Sequence, residues 1–254
     1  MISRLKSKIK HLMRFHSMGK ILVNDSYHII GNEKSKLETK KRPFRFDVIN
    51  ELIKYLDKDI SYLEIGVRNP KDNFDKINAI NKFSVDPGLS YKENPVQFKM
   101  TSDTFFQQIK VGKILNEKNK FDIVFIDGLH LADQVERDIH NSLSYLSDDG
   151  FIVLHDCNPP TEFHARETYA YSLSPAKDKW NGTTWKAFFK FRQKEGYYSC
   201  CIDSDWGVGV ISKSINFGKP TQIHNPYFEF KILEENRTDS LNLMSYEQFL
   251  NFLN

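Results

Sequence analysis

Apolar residues follow two rhythms along this chain. After Pro43, Phe46, Ile49, Leu52, Ile53 and Leu56 recur at three- and four-residue steps, which predicts a helix with one buried face. Tyr62-Leu63-Glu64-Ile65-Gly66-Val67 is then a short apolar run ending in glycine and predicts a strand. Residues 73–80 read as a helix, and Phe83-Ser84-Val85-Asp86 as a second strand stopped by Pro87-Gly88. Thr101-Ser102-Asp103 predicts a helix cap ahead of Phe105, Phe106 and Ile109. Residues 121–128 predict a buried strand, 131–146 an amphipathic helix and 150–156 another buried strand. Residues 161–178 show little periodicity and predict a long loop, of the kind that forms lids. Residues 180–191 predict a helix with Trp185, Phe188 and Phe189 inward. Residues 197–202 and 206–211, joined by Asp203-Ser204-Asp205, predict an antiparallel hairpin at a sheet edge, and 246–253 a closing helix.

Apolar strands that alternate with helices imply a parallel sheet covered on both faces. Ahead of that pattern, residues 21–32 predict a short strand pair and 33–42 a charged linker. The chain is therefore divided at residues 1–45, an appendage, and 46–254, the main domain.

A length of 254 residues with 40% hydrophobic and 27% charged residues excludes a collagen, a disordered tail protein and a disulfide scaffold. The three cysteines, Cys157, Cys200 and Cys201, fit neither a disulfide framework nor a Cys-x-x-Cys metal pattern, so a reducing, cytoplasmic setting is expected. No uninterrupted apolar run reaches the roughly 18–20 residues of a membrane-spanning helix.

Charge is unevenly placed. Residues 1–20 hold Arg4, Lys6, Lys8, Lys10, Arg14 and Lys20 and no acid, which leaves 30 basic and 33 acidic residues in the rest. A mildly acidic body argues against nucleic acid as a partner. Within the arm, Ile2, Leu5, Ile9, Leu12, Met13 and Phe15 fall at helical spacing. The favoured expectation is a helix docked on its own domain or on a dimer mate. An anionic membrane surface, a partner subunit and the steering of an anionic substrate are the alternatives.

Glu64, Asp86, Asp127 and Asp156 each stand at or just past the carboxyl end of a predicted strand. Ligands of open α/β sheets bind along that edge. A dinucleotide fingerprint would need glycines at 68 and 71, where Arg68 and Lys71 stand, so a pyrophosphate is not expected after Gly66. Asp86, about 20 residues past the turn, suits a carboxylate that accepts from two ribose hydroxyls.

Taken together, 62–67, Val85-Asp86, 101–103, 121–130, Gly150 to Pro160 and Trp180-Asn181-Gly182-Thr183-Thr184-Trp185-Lys186 resemble class I S-adenosylmethionine-dependent methyltransferases. Within that class they resemble a bacterial small-molecule and sugar branch associated with surface-glycan biosynthesis. The resemblance covers roughly residues 60–212 and departs from the class at Arg68, which replaces a second glycine. It implies a Rossmann-like, seven-stranded, mostly parallel sheet with helices on both faces and a C-terminal antiparallel hairpin. Carried over, it implies that Glu64 and Gly66 line the methionine and ribose part of S-adenosylmethionine. It likewise implies that Asp86 holds the ribose, that Ser102 and Asp103 sit beside the adenine, and that Asp127 lies near the cofactor's amino group and the acceptor.

Methyl transfer to a hydroxyl requires a positioned acceptor and a base. His130 is the leading base, with Asp127 and Asp156 beside it in the cleft, because an imidazole of ordinary pKa suits neutral pH. His155 is the rival, expected from strand alternation to face the helical layer, and His164 on the lid is third. Mg²⁺ on Asp127, Asp156 and Asn158 is an alternative that is not favoured, because His155 stands where the metal-dependent pattern has an acid. Arg68, Arg166 and Lys186 are candidates for an anionic acceptor, and Trp180 for the floor of a sugar site. The expected activity is O-methylation of a small polar acceptor, favoured a nucleotide-linked sugar in polysaccharide biosynthesis. Methylation of an amine or phosphate, or a non-catalytic cofactor-binding subunit, are the alternatives.

Overall fold

The computed structural model describes residues 2–116, 118–171 and 173–254. Its centre is a seven-stranded sheet. The strands are β1 (Ser61–Ile65), β2 (Asn81–Val85), β3 (Phe121–Ile126), β4 (Leu146–Leu154), β5 (Tyr198–Ile202), β6 (Val208–Ser212) and β7 (Leu243–Met244). They lie in the order β2-β1-β3-β4-β6-β5-β7. The first four are mutually parallel, β6 runs antiparallel between β4 and β5, and β7 adds in parallel to β5. The expected Rossmann-like, mostly parallel sheet with a late antiparallel hairpin is what the chain forms. β7 is a two-residue strand whose sequence carries no strand signal of its own.

Alternation along the central strands builds two cores. Leu63, Ile65, Val124, Ile126, Ile152 and Leu154 point to one face, where they meet apolar residues of α4 (Ser102–Lys110), α5 (Ala132–Tyr145) and α6 (Thr184–Arg192). Tyr62, Ile123, Phe125, Phe151 and Val153 point to the other face, toward α3 (Arg45–Leu56) and α9 (Tyr246–Leu250). Burial on both sides explains why β3 and the Phe151–Leu154 half of β4 read as apolar runs. Two short helices, α7 (Phe230–Glu235) and α8 (Arg237–Leu241), precede β7.

The N-terminal region departs from expectation. Residues 21–32 are not strands and 33–42 are not a linker. α1 (Ile2–Asn24) and α2 (Ser26–Glu38) are helices, separated by Asp25, whose side chain accepts the His28 backbone N–H. The buried side of α2 is made by Gly31, Ser35 and Glu38, so the helical period is present without an apolar stripe to reveal it. α2 sits on the 161–178 loop. His28 contacts the Leu173 carbonyl at 3.0 Å, Ser35 Oγ meets His164 Nε2 at 2.9 Å, and Tyr27 packs edge-on against Phe163. Residues 73–80 are likewise not an α-helix. Two 3₁₀ turns, Pro70–Asp72 and Phe74–Lys76, flank Asn73, whose backbone (φ −141°, ψ −61°) interrupts any helix.

Gly31 gives a test of the α2 contact. A Cβ there would stand 2.5 Å from the Pro175 carbonyl oxygen. In a free helix Gly→Ala stabilises by about 1 kcal/mol. Here Gly31→Ala is expected to lower the melting temperature, and a rise would mean that α2 does not rest on Pro175.

Candidate active site

The carboxyl edge of the sheet gathers a compact charged cluster. The ladder extends past the strands to fix it: the Asp127 N–H donates to Ile65 O (2.9 Å) and the His155 N–H to Ile126 O (3.1 Å). His130 lies between two carboxylates, with Nε2 3.1 Å from Asp127 Oδ1 and Nδ1 3.0 Å from Asp156 Oδ2. The second contact is close but not aligned for a hydrogen bond. His155 Nδ1 is 3.3 Å from both Asp127 and Asp156, and its Nε2 is 3.5 Å from Asp205.

His155 therefore does not face the helical layer as alternation predicts. The strand ends at Leu154, and Asp156 takes a left-handed backbone (φ 61°), which turns both side chains into the cluster. His130 (φ 57°), Asp205 (φ 43°) and Trp206 (φ 66°) adopt the same uncommon conformation. Backbone strain of this kind, about 1–3 kcal/mol per residue, concentrates at functional sites.

Arg45 and Asp205 are members that sequence reasoning missed. Arg45, the first residue of α3, donates its backbone N–H (2.9 Å) and Nη1 (3.1 Å) to Asp205 Oδ2, and its Nε lies 3.7 Å from Asp127. It belongs by position to the 1–45 appendage, yet it completes the site. The signal for Asp205 was topological: a strand that returns antiparallel beside β4 must begin at β4's carboxyl edge, so the acidic turn before β6 lands there.

Three carboxylates thus face two imidazoles and a guanidinium. Burial works against the charge on His130, but the Asp156 and Asp127 carboxylates prevail and raise its pKa to about 10. His155 is likewise raised, against its burial, by Asp156 and Asp127. Asp127 is held well below the usual carboxylate range, where burial is outweighed by the imidazoles of His155 and His130. The expectation that His130 keeps an ordinary pKa is corrected: in this surrounding it carries a proton at neutral pH.

The Trp180–Thr183 segment, predicted as helix, is an irregular turn that clamps His130, and α6 begins only at Thr184. Trp180 stacks on the His130 ring (5.2 Å between centroids, 13° between planes). Asn181 donates to Asp156 Oδ1 at 3.0 Å, and the Thr183 N–H donates to the His130 carbonyl at 2.7 Å. A Cβ on Gly182 would stand 2.2 Å from that carbonyl oxygen.

The remaining sequence candidates fall in different places. Gly66 (φ 87°) is required by packing: a Cβ there would come within 2.4 Å of the Asp127–Gly128 backbone, which binds the β1 turn to the β3 turn. Arg68 sits in the left-handed conformation (φ 51°) that a glycine would favour. Asp86 accepts the backbone N–H of Arg68 (2.8 Å) on one oxygen and that of Gly88 (2.6 Å) on the other. Glu64 is buried and accepts from the Tyr62 hydroxyl (2.6 Å) and from Asn73 Nδ2 (2.8 Å). Ser102 and Asp103 begin α4 and meet Gln134 and Arg137 of α5 rather than any member of the cluster. Asn158 turns away to Asp203 and Arg237, so it is no third ligand beside Asp127 and Asp156.

His164 is buried among Ser35, Thr161 and Trp206, and burial pushes its pKa down to about 4. Arg166 uses its guanidinium on five carbonyls of residues 163–179, and Arg68 pairs with Asp72 at 2.8 Å. Arg166 is thus committed to its own loop, whereas Arg68 is 64% exposed. Lys186 lies 3.9 Å from the exposed Glu167.

Glu64 generates a pH test. Burial raises its pKa from 4.5 to about 7, so the folded state binds its proton more tightly than the unfolded state. Its contribution to stability is full below 4.5 and is lost as pH rises through about 7. Glu64→Gln, which keeps an acceptor oxygen, is expected to melt increasingly above the parent protein between pH 5 and pH 8. An unchanging difference in melting temperature would refute the buried ionisation.

No curated protein matches the chain. Among solved structures, an O-methyltransferase from Bacillus cereus in complex with SAH is 12% identical, with 74% of this chain and 90% of that chain covered and a TM-score of 0.42. The O-methyltransferase TomG from Streptomyces achromogenes in complex with SAM is 9% identical, with 74% and 90% covered and a TM-score of 0.41. The plantazolicin methyltransferase BpumL in complex with SAH is 13% identical, with 98% and 94% covered and a TM-score of 0.42. Likenesses this low leave the fold to be read from the strand order itself. Residues 63–157, just over a third of the chain, match the family model described as a methyltransferase domain. The stretch similar to a methyltransferase domain contains Asp127, His130, His155 and Asp156, while Arg45 and Asp205 lie outside it.

Proposed function

We propose that the protein is an S-adenosylmethionine-dependent O-methyltransferase acting on a hydroxyl of a small polar acceptor. The observation that carries this reading is the coincidence of the methyltransferase-domain match with the strand-end cluster of Asp127, His130 and Asp156. The favoured acceptor is a sugar, as a nucleotide conjugate in surface-polysaccharide biosynthesis. That step rests on the resemblance of 150–160 and 180–186 to the sugar branch. The three buried, unpaired cysteines suit the reducing, cytoplasmic setting that this reading assumes.

The residues present fit the cofactor. Each Asp86 oxygen accepts one backbone N–H and keeps a second lone pair for a ribose hydroxyl. Asp127 stands at the turn packed against Gly66, where the resemblance puts the cofactor's amino group. S-adenosylmethionine, when bound, supplies an electrophilic methyl on a sulfonium. The protein's task is then to orient the acceptor oxygen and take its proton.

His130 is the proposed base, and Trp180 and the Thr183 N–H hold its ring and backbone in place. Asp127, His130 and Asp156 each offer one ligand atom, all within 4.8 Å of one another, and would hold a divalent cation able to polarise the acceptor oxygen. The metal-free reading is preferred because His130, His155 and Arg45 already balance the three carboxylates.

Two measurements test this. Only the unprotonated fraction of His130 accepts a proton, and its pKa of about 10 means that this fraction grows roughly tenfold per pH unit up to that point. With an acceptor found by screening sugars, kcat/KM is therefore expected to climb from pH 7 toward pH 10. Asp156→Asn should move the rising limb to lower pH, and a profile already flat at pH 7 removes His130 from the role. Calorimetric titration with S-adenosylmethionine should give micromolar binding that EDTA does not alter. Absence of binding overturns the cofactor assignment, and turnover that is lost in EDTA and restored by Mg²⁺ overturns the metal-free reading.

A further inference from the structure

α1 stands apart from everything described so far. Leu5, Ile9, Leu12 and Met13 follow at i, i+4, i+7 and i+8, which places them on one helix face. They are 60%, 45%, 67% and 68% exposed, so the face is not covered by the protein's own body. Around it stand Arg4, Lys6, Lys8, Lys10 and Arg14, and α1 contains no acidic residue. α2, beyond Asp25, is the part of this arm seated on the 161–178 loop among the described residues.

We propose that the first turns of α1, residues 4–14, lie in the surface of an anionic phospholipid bilayer. The apolar face would enter the headgroup boundary while the long cationic side chains reach outward to the phosphates. Charge decides between occupants. A second copy set face to face would bring two cationic rims together with no acid on either helix to pair them. An anionic lipid surface offers the complementary sign, and each cation near it strengthens attachment. α1 is also too polar to span a bilayer, which leaves an in-plane position.

The test is flotation of the full-length protein with vesicles of phosphatidylcholine alone and of phosphatidylcholine mixed with phosphatidylglycerol. The protein should float with the mixed vesicles only, and raising the salt should release it. Lys6→Gln and Lys10→Gln should each weaken attachment about fivefold. Leu12→Glu should abolish it with an unchanged melting curve, because position 12 is exposed. Failure to float with the mixed vesicles overturns the proposal, as does equal flotation with phosphatidylcholine alone. A light-scattering mass that falls from dimer to monomer in Leu12→Glu, without vesicle binding, assigns the face to a second copy instead.

Discussion

Mutual neutralisation of charge at the strand ends is the constraint on which this site depends. Asp127, Asp156 and Asp205 would each be costly to bury alone, as would Arg45 or either imidazolium. Together they neutralise one another across contacts of 3.0–3.7 Å. An intact buried ion pair contributes little net stability, whereas removal of one partner costs about 3–5 kcal/mol. The cluster is therefore held less by the strength of any pair than by the penalty for losing one. That penalty reaches well along the chain, because Arg45 comes from the N-terminal segment and Asp205 from the β5–β6 turn. Lys41 repeats the link by pairing with Asp203 in the same turn.

The apolar rhythm revealed the sheet well. β1, β3 and the second half of β4 are buried on both faces and read as short apolar runs, and α3 and α5 carry plain apolar stripes. The signal failed where burial is polar. α2 presents glycine, serine and glutamate to its neighbour, and Asn73 breaks a helical period by turning into Glu64 and Tyr62. Within the site, Asp127, His130 and Asp156 were legible because strand ends are predictable positions. His155 was misplaced because alternation stops where the backbone turns left-handed at Asp156. Arg45 was invisible for a different cause. Its partner lies 160 residues away, and no local pattern marks a cation that will meet an acid across a sheet edge.

Several sequence candidates have a dual character. Gly66 was read as space for a ligand, yet its missing Cβ first serves the contact between two turns. Asp86 was read as a ribose acceptor, yet both its oxygens already fasten the β1 and β2 turns. A carboxylate that ties together the loop beneath a ligand also fixes the geometry in which it can receive one. Structural and binding roles are thus compatible at one residue, which is why motif spacing alone cannot separate them.

The long loop before α6 contains no regular element among its described residues, yet it is organised. Arg166 gathers the carbonyls of Phe163, Thr168, Tyr169, Lys177 and Lys179 onto one planar cation, and the Trp180 indole closes on the Arg166 carbonyl at 2.7 Å. Its order is thus radial, like spokes on a hub, in place of the linear order of a helix or a strand. Such a loop has a shape of its own, and through the Arg166 carbonyl that shape fixes where Trp180 stands against the His130 ring. Without the hub, the same residues would have no partner for five of their carbonyls.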